Sequence, residues 1–330
     1  MADGTTEHEF HRLYTNRHHC YCDVKLEEVG HSGSFVKECP ECGYVLNKFS
    51  FEAVSTQQEL YSGSATDGAF QGTKGSRFTL GITDLRSVLA KQRVRRSISK
   101  APEFKSKSKR AQTRILDFGC GQGYLLDALN ASGIAALGVE VCAESARFAR
   151  KKGRDVRLDL GEIQDKSCDG VIAIHVLEHL PDVDAKLVEI KKVLKPGAYF
   201  QFEVPNFDCL QTRMFKYNCF HAELELHAHH FSPVSFERLL AKHGFKVEKI
   251  RLGSLEQGIM GWTQSYLNTV FPYNRFYRRF ILNRPWSERV EALPDLVLFP
   301  PLVVLAVFSY TIERLMGLGP VVCVEGHLAE

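Results

Sequence analysis

From Thr113 onward, short apolar runs alternate with stretches in which apolar residues recur every three or four positions. The runs RILDF (114–118), AALGVEV (135–141), DVRLD (155–159), GVIAI (170–174), YFQFEV (199–204), KVEKIRL (246–252) and VVCVEG (321–326) predict strands. YLLDALN, AESARFARKK, DAKLVEIKKVL and PVSFERLLAKH, lying between them, predict helices. Strand–helix alternation over this length predicts an α/β fold with a parallel sheet covered on both faces. Residues 253–319 break the rhythm with aromatic-rich SYLNTVFPYNRFYRRF and an apolar run, and predict a helical insertion before the last strand. Residues 51–112 read as a connector: a Gly/Ser-rich piece, YSGSATDGAFQGTKGS, then a predicted helix from about Asp84 to Ser99, where Leu85, Val88, Leu89 and Val94 recur at near-helical spacing. Residues 1–50 hold four cysteines and read as a small metal-stapled unit.

The chain's 330 residues, 44% hydrophobic and 25% charged, suit one large domain or two and exclude collagen, wholesale disorder and coiled coil. The net charge of +3 argues against a protein that coats nucleic acid, but it is unevenly spread. Arg86 to Arg114 holds eleven Lys/Arg and one acid, Glu103, a local +10 that leaves −7 for the rest. That segment reads as the solvated face of a linker helix, with phosphate contact as the alternative. The opening MADGTTEHEFHRLY lacks an apolar core of the signal-peptide kind, and ten cysteines in a chain this long read as reduced thiols plus one metal site, so the cytoplasm is the expected compartment. Leu296 to Ile312 is apolar but short of the ~20 residues of a membrane span and contains Pro300-Pro301. The expectation is a buried helix starting after the prolines; peripheral membrane contact through 296–312 is the second reading and spanning the third.

ILDFGCGQGYLLDAL is the most informative segment. A strand ends at Asp117-Phe118, Gly119, Gly121 and Gly123 follow at alternate positions, and a helix begins at Tyr124. Glycines permit positive φ and close backbone approach, while a helix N-terminus offers unpaired N–H groups. The dinucleotide pattern G-x-G-x-x-G fails because Tyr124 stands where its third glycine belongs. Glu140, at the end of the next strand, is placed to accept hydrogen bonds from two ribose hydroxyls of an adenosine-type ligand. Together with GVE, CDGVIAIHVLEHL and LKPGAYFQFEVPN, this loop resembles the class I S-adenosylmethionine-dependent methyltransferases over about residues 110–252.

The resemblance implies a Rossmann-like seven-stranded methyltransferase sheet with the last strand antiparallel, and S-adenosyl-L-methionine lying across the strand C-termini. Carried over by position, Asp117, Gly119, Cys120, Gly121 and Gly123 would shape the methionine and ribose side. Glu140 would hold the ribose, Val141 would flank the adenine, and Asp159 and Leu160 would lie near its edge. Ile174 and His175 would floor the sulfonium. His175, Glu178 and His179 also spell the inverted zinc-peptidase pattern H-x-x-E-H. That reading fails if His175 sits in a strand-to-helix turn, where the i,i+4 helical geometry is lost.

Cys39-Pro-Glu-Cys42-Gly is half of a zinc knuckle. The other half is irregular, because Cys20 and Cys22 are one residue too close, while His19 restores the spacing with Cys22. The ligand set is therefore Cys20 and Cys22, or His19 and Cys22, with Cys39 and Cys42. Four ligands leave no open position, so the zinc would be structural. The passage is similar to zinc ribbons that precede the methyltransferase domain in enzymes of sugar and cell-surface polysaccharide modification.

LHAHHFSPVSFERLLAKHGF looks like the segment that follows the fifth strand in small-molecule and sugar methyltransferases, over the methyl group. If the acceptor is a hydroxyl, a base must take its proton, and imidazole suits the task. His227 and His230 are the first candidates, then His229 and His179. A second metal site in this cluster is disfavoured, since only Glu223 and Glu225 accompany it. The expected function is O-methylation of a sugar hydroxyl on a nucleotide-sugar, glycan or lipid-linked glycan. The alternatives are a quinone-type or other small hydroxylated acceptor, or an RNA-binding zinc-ribbon methyltransferase.

Overall fold

The computed structural model of the chain describes residues 20–21, 25–31, 34–42, 44–47, six helical positions between 88 and 95, residue 104, and residues 106–224, 226–281 and 289–330. The N-terminal unit pairs β1 (Glu27–His31) with β2 (Ser34–Glu38) and β2 with β3 (Val45–Asn47), all antiparallel. The Gly/Ser-rich connector lies outside the described residues. Of the helix predicted over 84–99, Val88, Ala90 to Gln92, Val94 and Arg95 are helical and the remainder falls outside. Ala90 and Val94 are buried against Ile115 and Leu129, which ties this basic helix to the main sheet by its apolar side.

The α/β unit runs in chain order through α1 (Lys107–Gln112), β4 (Arg114–Phe118), α2 (Tyr124–Ala131), β5 (Ala135–Val139), α3 (Ala143–Lys151), β6 (Val156–Arg157), β7 (Cys168–Ile174), α4 (Val183–Val193) and β8 (Leu194–Pro205). It continues with α5 (Leu210–Phe215), β9 (His229–His230), α6 (Pro233–Lys242), β10 (Phe245–Leu252), α7 (Leu255–Asn268), α8 (Leu293–Leu315) and β11 (Val321–Leu328). The seven-stranded sheet has the order β10-β11-β8-β7-β4-β5-β6. β11 is antiparallel to both neighbours, while β5, β6, β7 and β8 run parallel to β4. This is the Rossmann-like arrangement expected from the sequence. The chain leaves β4 to β5 on one side and returns to β7 on the other, so a crevice opens beyond the C-terminal end of β4. Fully buried Leu116, Val171, Phe200, Phe202 and Phe245 form the core beneath that crevice.

Two elements depart from expectation. β9 is only two residues long, and it pairs antiparallel with β3 through Val45↔His230 and Leu46↔His229. The histidine segment thus becomes the fourth strand of the N-terminal sheet. The expectation of a buried helix beginning after Pro300-Pro301 fails: α8 starts at Leu293 and carries both prolines inside it. Asp295, Ala306, Tyr310 and Glu313 face the protein, but Val297, Val304 and Phe308 are exposed. The interior prolines leave the carbonyls of Leu296 and Val297 without their i+4 donors, and these lie where solvent can satisfy them.

Candidate active site

The glycine loop forms as read. Gly119, Gly121 and Gly123 all have positive φ, at 76°, 52° and 84°. A Cβ on Gly119 would stand 2.3 Å from a Val176 methyl, so here glycine is demanded by packing as well as by backbone. A Cβ on Gly121 would meet nothing within 4 Å, so the loop presents bare backbone to open space, as a ligand cradle requires. Glu140 spans the cradle's edge: its two oxygens accept the N–H groups of Gly121 and Cys142, each at 2.8 Å. Burial pushes its carboxyl up, and those two N–H bonds act against the rise. A carboxylate keeps further lone pairs for hydroxyl donors. Val141 beside it is 70% exposed, as an adenine-flanking residue would be before binding.

Other positions carried over from the family pattern play different parts. Cys120 turns away from the crevice: it is buried with Leu126, Ala146 and Ala149, its Sγ lies where a Gly138 Cβ would be, and burial pushes its thiol up. Leu160 is a core residue under the sheet, whereas Asp159 is exposed and caps the turn Leu160–Glu162 by accepting the Gly161 N–H. Asp117 is buried at the end of β4. Arg154 belongs to no sequence motif. It donates to the Gln122 carbonyl and to Asp127 and lies over the Tyr124 ring, bracing the loop from behind.

Beyond β7 the chain turns sharply. His175 adopts φ 53°, and the residues after it form a 3-10 turn, Leu177–His179, so the peptidase-like spacing has no helical geometry. His175 lies between two carboxylates, with Nδ1 3.3 Å from Glu178 and Nε2 3.3 Å from Glu203. Burial would lower its pKa, but the hydrogen bond to Glu178 and the nearby Glu203 carboxylate outweigh that and raise it to about 9. The two carboxylates thus favour the protonated ring, which is unfit as a base and suited to a fixed floor.

His179, His227 and His230 are brought together: the rings of His179 and His227 are 4.6 Å apart and those of His227 and His230 5.8 Å. His227 donates to the His221 carbonyl and His230 to the Ala222 carbonyl. Burial holds both neutral, His227 well below the usual histidine range and His230 at about 4. His179 donates Nδ1–H to the Leu226 carbonyl at 3.0 Å, which leaves Nε2 as the acceptor, and its side chain keeps 13% of its surface exposed. His229 points elsewhere: it bonds the Tyr44 hydroxyl at 2.7 Å and packs with Tyr44 and Phe231 in a three-ring cluster, gripping the N-terminal sheet. Buried Asn47 donates to the carbonyls of Leu224 and His227 and fixes the same segment. Glu178, His179 and His227 bring one ligand atom each within 4.8 Å of one another, and so do Cys20, Cys39 and Cys42. Cys20 therefore joins the knuckle pair, its Sγ 3.1 Å from that of Cys42, while His19 and Cys22 lie outside the described residues.

Strand order, the glycine cradle and the acid that follows β5 are those of the Rossmann-like sheet found in class I S-adenosylmethionine-dependent methyltransferases. Residues 89–250 match the family model of a methyltransferase domain. Curated relatives include the ubiquinone biosynthesis O-methyltransferases of Idiomarina loihiensis, 33% identical over 103 residues, and of Paracidovorax citrulli, 30% identical over 104. Each match covers 28% of this chain, and 42% and 44% of the respective relative, so the chain spans less than half the length of either. A solved SAM-dependent methyltransferase from Archaeoglobus fulgidus superposes with a TM-score of 0.46 at 22% identity, covering 76% of this chain and 100% of that one.

Proposed function

We propose that the chain transfers the methyl group of S-adenosylmethionine to a hydroxyl oxygen of a small, apolar, hydroxylated acceptor of the quinone type. The observation that carries the reading is the open cradle at Gly121 with the Glu140 carboxylate beside it, at the switch point of the sheet. The relatives named as ubiquinone biosynthesis O-methyltransferases favour this acceptor class over a sugar. When bound, the donor supplies an electrophilic methyl on a sulfonium. Gly119, Gly121 and Gly123 would let it approach the backbone, Glu140 would hold its ribose, and the carboxylates of Glu178 and Glu203 about His175 would suit its positive sulfur. Transfer is a direct displacement, so the protein's main work is alignment and exclusion of water. His179 Nε2 takes the acceptor's proton, with its tautomer fixed by the Leu226 carbonyl; His227 and His230 are too weakly basic and too enclosed for that step.

A second reading, a sugar hydroxyl as acceptor, rests on the cysteine unit, whose three described thiols lie within 4.8 Å of one another, close enough to serve as three of four zinc ligands. A methyl-labelled donor offered to cell extract fractionated into lipids, sugars and RNA separates the readings. The expected result is label in the lipid fraction and a fall in kcat of about a hundredfold or more for His179→Ala, with donor affinity unchanged. Label in the sugar fraction would select the second reading, and label in RNA would overturn both. Metal analysis giving a second ion per chain that His179→Ala alone removes would reassign His179 from base to ligand.

A further inference from the structure

We propose that the outer face of α8 is a docking surface for an anionic lipid bilayer, on which the helix lies flat without crossing it. The residues Leu293, Val297, Val304, Phe308 and Leu315 fall within about a 60° arc at 3.6 residues per turn. All five are exposed, Val297 at 76%, Val304 at 72% and Leu315 at 84%. No charged residue interrupts the sequence from Leu296 to Ile312. A helix surface meant for water carries charges on its outer face, and a contiguous apolar stripe of this length marks a contact surface.

Length and composition would also let Val290–Leu315 cross a membrane. The opposite face forbids it, because the helix is fastened to the domain from end to end. Near its start, buried Asp295 is paired with Arg275. Near its end, buried Glu313 accepts from the Trp262 indole at 3.0 Å and the Gln211 amide at 3.2 Å. Between them Tyr310 packs so closely on α7 that a Cβ on Gly258 would lie 2.2 Å from its ring. Inserting this helix across hydrocarbon would strip both carboxylates of their partners.

Charge selects the occupant. Residues 271–281 hold three arginines and no acid, together with five aromatic residues, the mixture that suits an anionic headgroup layer; Arg275 is turned inward to Asp295, and Arg278 and Arg279 stay on the outer side. This segment lies along the first turns of α8: Phe276 stacks on Phe299 at 4.4 Å and Arg279 reaches Glu291 at 3.2 Å. The prolines argue for the same partner. The carbonyls of Leu296 and Val297 have lost their helical donors, a cost in a dry interface between two protein copies but none at the hydrated headgroup level.

The test uses the full chain and flotation with vesicles, either of phosphatidylcholine alone or of equal parts phosphatidylcholine and phosphatidylglycerol. Binding to the anionic vesicles is expected, weakened by high salt and about tenfold or more poorer for the neutral ones. The double variant Val304→Asp, Phe308→Asp should lose about tenfold or more of the binding, while its melting temperature and donor affinity stay those of the parent. The proposal is overturned if parent and variant bind alike, or if neither binds. It is also overturned by a parent that is a dimer the variant dissolves, or by one that resists alkaline carbonate extraction. None of these readouts depends on methyl transfer, so this proposal and the acceptor reading can fail separately.

Discussion

Single residues set the site's electrostatics, and the histidines of the cluster shift in opposite directions. His175 has a folded pKa of about 9 against an ordinary 6.5, so its contribution to stability is complete below about 6.5 and is lost as pH rises through 9. His221, at about 3, and His230, at about 4, run the other way: their contribution is present above 6.5 and is lost as pH falls toward those values. The melting temperature should therefore decline on both sides of a maximum near pH 6.5, and His175→Gln should flatten the alkaline decline, which is on the order of 3 kcal/mol. A Glu140→Ala chain should bind adenosylmethionine more than about tenfold less tightly, roughly 1.4 kcal/mol. Calorimetry showing equal affinity would remove the ribose assignment. The two outer questions of the loop divide cleanly. Gly119→Ala must clash with Val176 and should lower the melting temperature sharply. Gly121→Ala has room, costs about 1–2 kcal/mol for its left-handed backbone, and should fold yet lose donor binding because its methyl stands in the cradle.

At the scale of elements, what was legible in the sequence was what local pattern encodes. The seven strands of the main sheet alternate or run apolar over several residues, and the loop between β4 and α2 carries its chemistry in glycines. β5 ends at Val139, two residues short of the apolar run, because Glu140 turns to accept two N–H bonds. β9 had no local signal: two histidines become a strand only because Val45 and Leu46 come to them across the fold. Arg154 was silent for the same reason, since its partners Gln122 and Asp127 lie about thirty residues before it. α8 was misread because Pro300-Pro301 count locally as a helix stop, whereas contacts with α7 carry the helix through them. Asn47 tests the cross-fold link. Asn47→Ala leaves the Leu224 and His227 carbonyls without their donor; it should cost about 1–3 kcal/mol and lower kcat, with donor affinity intact.

Over the whole molecule, donor and acceptor sides are built differently. The donor cradle belongs to the seven-stranded sheet, while the histidine segment is shared with the cysteine unit through β3 and β9. Metal analysis of the chain purified under reducing, metal-replete conditions should give about one zinc per chain. Stripping that zinc should depress turnover well before it touches donor affinity. Equal loss of both would mean that the two sides are one cooperative body.

The pairing of β3 with β9 also sets an order of assembly during synthesis. Tyr44 and His229 are 185 positions apart in the chain, so β3 emerges from the ribosome long before its partner exists. At 5–20 residues per second that interval is on the order of ten to forty seconds. Throughout it the nascent hairpin presents an open strand edge, a site for chaperone capture or mispairing. The acceptor wall is completed only after residue 230 has been made, which gives the protein a late-maturing half. In refolding from denaturant the whole chain is present, but the same 185-residue closure is a slow non-local step, so adenosylmethionine binding should return in an earlier phase than methyl transfer.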